Sequence, residues 1–186
     1  MKVTRKDAPA EIDALVPVLS EARAERRKLE LPAWTWTFLC IALPLVLGTV
    51  LELLTANAAT GLLGRLKHPP LFPPLAVIKA AWLGHYVLMG IASSLVLKSG
   101  CAPMQLRRAL IVYGVQMFIG AAWTIIFFLF ELFGIAVALS LLFMAAIAIT
   151  MDLFTRCSVT SGKLLVPCLL WSSFLSYFTI GIALLN

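Results

Sequence analysis

Read from one charged residue to the next, the chain alternates between long apolar runs and short polar stretches. Five runs, at 31–51, 80–97, 109–130, 132–151 and 164–186, are long enough to span a bilayer core, which takes about 20 mostly apolar residues per helix. None shows the strict alternation of a membrane β-strand. The pattern predicts an all-α integral membrane protein, a bundle of five transmembrane helices. Only Glu131 separates the third run from the fourth, so a tight turn is expected at 131–134. The alternative is one long apolar hairpin with Glu131 buried, at the cost of a lone charge in hydrocarbon. Between the first two runs, residues 57–79 contain His68-Pro69-Pro70-Leu71-Phe72-Pro73-Pro74. Four prolines within six residues cannot be helical. They predict a stiff, extended first loop, long enough to fold over the mouth of the bundle. Trp82 and Tyr86 follow at i and i+4, on one face of the second helix just beneath that loop.

Composition agrees with the pattern and narrows it. Of 186 residues, 61% are hydrophobic and 13% charged, with a mean hydropathy of +0.98, against about 45–50% and about 25% in soluble domains. This excludes a soluble enzyme, a disordered tail and a nucleic-acid module, so the net charge of +6 does not point to nucleic acid. It sorts instead by side of the membrane. Lys2, Arg5, Lys6, Arg23, Arg26, Arg27, Lys28, Lys98, Arg107, Arg108, Arg156 and Lys163 fall on one side of a five-span chain, and Arg65, Lys67 and Lys79 on the other. The bias predicts a cytoplasmic amino terminus.

Residues 1–32 read as a charged amino-terminal extension and 33–186 as the membrane domain. The extension resembles neither a cleavable signal, since its apolar run starts only at Leu31, nor a transit peptide, since it is acidic as well as basic. Ile12, Leu15, Val16 and Leu19 have helical spacing, interrupted by Pro17, which fits a surface helix on anionic headgroups or a solvated tail. Trp34 and Trp36 are expected to anchor the first helix at the interface. Cys40, Cys101, Cys157 and Cys168 have no CxxC spacing and no neighbouring histidine, so packing roles are expected, with neither a disulfide nor a metal site. No nucleotide, zinc-protease or hydrolase motif nominates a catalytic residue.

Pro69-Pro70-x-x-Pro73-Pro74, then Trp82-x-x-x-Tyr86-x-x-Met89-Gly90, resembles the loop and second helix of the translocator protein family. These proteins are also known as tryptophan-rich sensory proteins and peripheral-type benzodiazepine receptors, together TspO/MBR. The family reads K-P-x-x-x-P-P, then W-x-x-L-Y-x-x-M-G. Gln116, Trp123, Phe127 and Phe128 are similar to its third-helix pattern Q-L-x-L-N-x-x-W-S-x-x-F-F, and Pro167-x-x-x-Trp171 with Asn186 to its last helix. The resemblance covers about residues 34–186. Gly120 and Thr179 stand where the family has Asn, Cys168 where it has Tyr, Leu62-Leu63 where it has Trp-Tyr, and Leu139 where an acid is expected. Each departure removes a polar or aromatic group from the pocket region.

The resemblance implies a cavity, roofed by the first loop, for large flat hydrophobic ligands: tetrapyrroles such as protoporphyrin IX or haem, or sterol-like molecules. The expected role is a membrane receptor, sensor or transporter with no tightly bound cofactor and no metal. The alternatives are a light-dependent porphyrin-degrading enzyme in the same cavity and a ligand-free membrane scaffold. Expected ligand-binding residues are Trp82, Tyr86, His85, Gln116, Trp123, Phe127, Phe128 and Trp171, with Pro69, Pro73 and Pro74 in the roof. His85 reads either as an axial ligand to haem iron or as a hydrogen-bonded intramembrane histidine, and Gln116 as a ligand contact or an interhelical bond. Glu52 caps the cavity mouth or snorkels to the interface, and Arg65, Lys67 and Lys79 are cations within reach of porphyrin propionates. A forward sterol pattern fails after Tyr177, while a reversed one exists at Arg108–Val115, and both are weak. Gly114, Gly120, Ala121 and Ala122 on the third helix fit close packing within one bundle, and the resemblance implies a homodimer through that helix. A bacterial member of the family would occupy the cell envelope, and a eukaryotic one the mitochondrial outer membrane or endomembranes.

Overall fold

A backbone N–H or C=O inside hydrocarbon has no water to bond, so a chain that crosses the membrane must satisfy these groups along each helix. The computed structural model describes residues 33–186, and all regular structure among them is helical. The helices are α1 (Ala33–Arg65), α2 (Leu75–Leu97), α3 (Pro103–Phe128), α4 (Phe133–Cys157), the short α5 (Val159–Leu164) and α6 (Val166–Leu185). Helices α1, α2, α3 and α4, and α5 with α6, make five segments long and apolar enough to span a membrane. The protein is an integral, multi-pass membrane protein. Thr37–Asn186 form one compact unit, and the start of α1, through Trp36, belongs to an amino-terminal unit. The proposed surface helix around Ile12 to Leu19 lies outside the described residues.

The element boundaries differ from the hydropathy windows where a charge ended a window without ending a helix. Helix α1 continues past residue 51 to Arg65, since glutamate is a good helix former, and Glu52 pairs with Lys79, 2.8 Å away. The first loop therefore shrinks from 57–79 to residues 66–74, where Pro69 to Pro74 exclude helix. Leu71 sits at its tip with φ 66°, the left-handed second corner of a turn that Pro70 opens. The turn between α3 and α4 falls at residues 129–132, with Glu131 at φ 55°. Its carboxylate is exposed and pairs with Arg65, so the buried-glutamate alternative does not describe this chain.

The cysteine expectation needs a correction. Cys101, just ahead of α3, and Cys157, the last residue of α4, form a disulfide with a Cα–Cα distance of 5.2 Å. Their 56-residue separation gives no local motif. The pair forms because two helix ends return to the same face of the bundle. Cys40 and Cys168 are free.

Helix α4 packs against α3 and α6, and α2 against α5 and α6. Trp123, Phe127, Ile147, Phe154, Leu165 and Ile182 fill the core with almost no exposure. Lipid tails are as apolar as leucine, so helices must gain stability by close approach. The sequence supplies small residues for this. Most buried serine and threonine hydroxyls bond their own helix, as in Thr150 to the Ala146 carbonyl (2.8 Å) and Thr179 to the Leu175 carbonyl (2.7 Å), so these cost no unsatisfied donor. At Gly90 the backbones of α1 and α2 touch, and a Cβ there would lie 2.6 Å from the Ile41 Cα. The outward faces carry Phe38, Leu53, Phe118 and Leu184, all well exposed. On a soluble protein these would form a large apolar patch, and here they meet lipid.

Two outcomes follow from this packing. Gly90→Val should destabilise the bundle by about 1–3 kcal/mol through overpacking, read as a lower thermal midpoint in detergent, and an unchanged midpoint would contradict the close approach. Alkylation of the denatured protein should modify two cysteines without reductant and four after reduction. Four in both conditions would mean the Cys101–Cys157 bond is absent.

Candidate ligand cavity

The proline loop is held to the last helix. Lys67 N–H donates to the Asn186 side-chain oxygen at 2.9 Å, and Asn186 Nδ2 donates back to the Lys67 carbonyl at 3.1 Å. Tyr177 Oη donates to the Pro70 carbonyl at 2.8 Å. Pro69 is buried against Gly181, and His68 stacks on Phe72 at 3.9 Å, which in turn meets Phe178. The loop is thus latched to α6 at several points and delivers the chain into α2 at Pro74.

Just after that entry lies a cavity of about 170 Å³ between α1, α2 and the end of α3. Its inner wall is aromatic: Trp82 and Tyr86 from α2, Trp123 and Phe128 from α3. Trp82 is the hub. Its ring lies 5.6 Å from Tyr86, 6.2 Å from Trp123, 6.3 Å from Phe143 and 6.2 Å from Trp171. The i, i+4 spacing read from the sequence puts Trp82 and Tyr86 side by side, with planes 27° apart. The opposite wall comes from α1, with Leu45, Thr49, Thr55 and Ala56 among its residues. Two charged residues complete it, Glu52 from α1 and Lys79 from α2, paired at 2.8 Å.

The sequence-predicted residues divide into three groups. Trp82, Tyr86, Trp123 and Phe128 line this cavity. His85 and Trp171 line a separate pocket of about 460 Å³ between α2 and the start of α6, together with Pro167 and Cys168. Trp82 packs against both rings and stands between the two spaces. The others line neither space. Phe127 is core, stacked on Trp123 at 5.1 Å. Gln116 is fully buried and donates to the Met89 sulfur at 3.5 Å, an interhelical contact. Pro69, Pro73 and Pro74 belong to the latched loop, outside the cavity wall.

His85 is buried, and its ring nitrogens have no hydrogen-bond partner among the described residues. The expectation of a hydrogen-bonded histidine is corrected accordingly. Its neighbours are the rings of Trp82, Tyr86 and Phe143, which offer faces and edges but no acceptor. At Gly120, where the family resemblance leads one to expect Asn, a Cβ would lie 2.9 Å from the Phe143 ring. Phe143 fills the space that a polar side chain would need. No group of three or more metal-ligating side chains occurs among the described residues.

Sequence reasoning placed Glu52 at the cavity mouth but missed the rest of the α1 wall. The hydropathy window closed at residue 51, just ahead of Glu52, Thr55 and Ala56. The signal available was the i, i+3, i+4 spacing of Glu52, Thr55 and Ala56, which puts them on one helical face.

Together these features define a class: a five-span membrane bundle with a small aromatic cavity between α1, α2 and α3 and a proline-rich loop pinned to the last helix. Residues 40–185 match the model of the TspO/MBR family, and the chain belongs to that family. It is similar to Tryptophan-rich protein TspO of Chlorobaculum tepidum, 29% identical over 148 residues, which cover 80% of this chain and 94% of that protein. It is also similar to Translocator protein 2 of Canis lupus familiaris, 32% identical over 133 residues, 70% of this chain and 77% of that one.

The latch is testable by hydrogen exchange. Asn186→Ala removes the acceptor of the Lys67 amide and the donor to its carbonyl. The Lys67 amide should then exchange about fivefold faster, an opening cost lowered by the ~1 kcal/mol of a typical hydrogen bond. Amides in α4 should not change, and equal acceleration in both places would indicate general destabilisation instead of a released loop.

Proposed function

We propose that the protein is a membrane receptor, sensor or transporter for flat hydrophobic ligands, tetrapyrroles or sterol-like molecules, which it binds at the aromatic cavity between α1, α2 and α3. The observation that carries this reading is the wall formed by Trp82, Tyr86, Trp123 and Phe128. Four ring systems converging on one space offer π-faces, and each aromatic contact is worth about 0.5–1.5 kcal/mol beyond simple burial. Thr49, Thr55 and Thr124 add hydroxyls to a lining that is otherwise mostly apolar, the usual balance of a small-molecule site.

Size limits how a ligand sits. About 170 Å³ is less than the roughly 300–1,000 Å³ of pockets that enclose drug-sized ligands. A porphyrin or sterol therefore inserts one edge against the tryptophans, with the remainder lying along the rim or admitted by a shift of α1. Family membership supports a sensor or transporter kind of role, and the aromatic wall supports this class of ligand.

The test is a titration of the full chain in phosphatidylcholine vesicles with protoporphyrin IX, following tryptophan fluorescence. Saturable quenching at micromolar ligand is expected. Ala56→Phe, which fills the cavity without removing any packed aromatic, should weaken binding about tenfold or more. Linear, unsaturable quenching, or an affinity unmoved by Ala56→Phe, overturns this reading and favours a ligand-free scaffold or a different site.

A further inference from the structure

Glu52 and Lys79 are the only acid and the only base among the described residues that line the cavity. Lys79 Nζ lies 2.8 Å from a Glu52 carboxylate oxygen, and the side chains are 54% and 53% exposed. The pair therefore sits at the open edge of the space, not in its floor. A pair this exposed adds little to stability. The contact between α1 and α2 does not depend on it either, since the backbones already meet at Gly90 and Ile41. Arg65, from the same end of the bundle, is engaged by Glu131 and is not part of the cavity wall. Lys79 is thus the cation that a bound ligand meets.

Two opposite charges at the rim of an apolar space set up a competition. A ligand carrying a carboxylate brings its charge to Lys79 only by separating Lys79 from Glu52. It then sits beside a second carboxylate that has lost its partner. A neutral ligand meets charges that already neutralise each other and leaves them paired. Because both side chains are half exposed, Glu52 has room to swing out to the interface, so the pair biases binding without blocking it.

We propose that the Glu52–Lys79 pair is a charge filter on the cavity: Glu52 holds, from within the chain, the place on Lys79 that the carboxylate of an anionic ligand would take. The cavity therefore favours neutral flat ligands over their carboxylate-bearing counterparts, an inference that rests on the cavity being the binding site proposed above. Glu52 and Lys79 are specificity determinants in this scheme and take part in no covalent step.

The experiment compares two probes with one macrocycle, protoporphyrin IX and its uncharged dimethyl ester, on the full chain in phosphatidylcholine vesicles. The wild type should bind the ester more tightly than the diacid. Glu52→Gln should raise affinity for the diacid about two- to fivefold and leave the ester unchanged, the scale of one half-exposed ion pair. Lys79→Gln should weaken the diacid, which then faces an unpaired Glu52. The double variant Glu52→Gln/Lys79→Gln should lose the gain of the single Glu52→Gln change, because that gain runs through Lys79. A diacid-to-ester ratio unmoved by Glu52→Gln, or a gain that persists in the double variant, overturns the filter while the cavity stands. Failure of the ester to bind the wild type at all overturns the cavity reading, and the filter falls with it.

Discussion

The constraint on which the rest depends is that helices in hydrocarbon gain nothing from burying leucine against leucine. Association must come from backbones brought close and from polar groups that need no water. Glycine at position 90 lets α1 and α2 touch at the main chain, and serines and threonines on the inner faces return their hydroxyls to their own helices. With these small residues at the contacts, the large aromatics are concentrated in one zone around Trp82. A chain that packed its helices through bulky side chains throughout would have no reason to gather its rings in one place.

That zone holds the aromatic wall of the cavity. Trp82 stands between a small cavity facing α1 and a larger pocket facing α6, and its ring packs on residues of both. The polar groups that would orient a ligand are few. Gln116 is committed to Met89, and Gly120 has given up its side-chain space to Phe143. Aromatic faces dominate the inner wall of the cavity, with one ion pair at its rim.

The five spans were legible because a bilayer demands about twenty apolar residues whatever the helix packs against. The pairing of Trp82 with Tyr86 was legible because i and i+4 share a face in any helix. The turn at Glu131 was legible because a bare charge at mid-membrane is costly. The remainder depended on which helices meet. Glu52 looked like the end of a span because a charge raises polarity wherever it stands, yet it is half exposed beside Lys79 and the helix runs on to Arg65. The disulfide was invisible because Cys101 and Cys157 are neighbours only after α3 and α4 have gone out and back. The prolines were expected over the cavity because stiffness says that a loop is straight and not where it lies. Tyr177, Gly181 and Asn186, more than a hundred residues away, decide that it lies on α6.

The Cys101–Cys157 bond has a mechanical consequence. Helices α3 and α4 are joined by the turn at 129–132 at one end and by sulfur at the other, so they form a closed covalent ring. A ring of this kind shears and splays far less than two helices on a single hinge. Helix α4 in turn is packed between α3 and α6, and α6 carries the latched loop, so that side of the molecule behaves as a stator. Helix α1 lies outside this covalent ring and is held by the main-chain contact with α2 at Gly90 and by the Glu52–Lys79 and Arg65–Glu131 pairs.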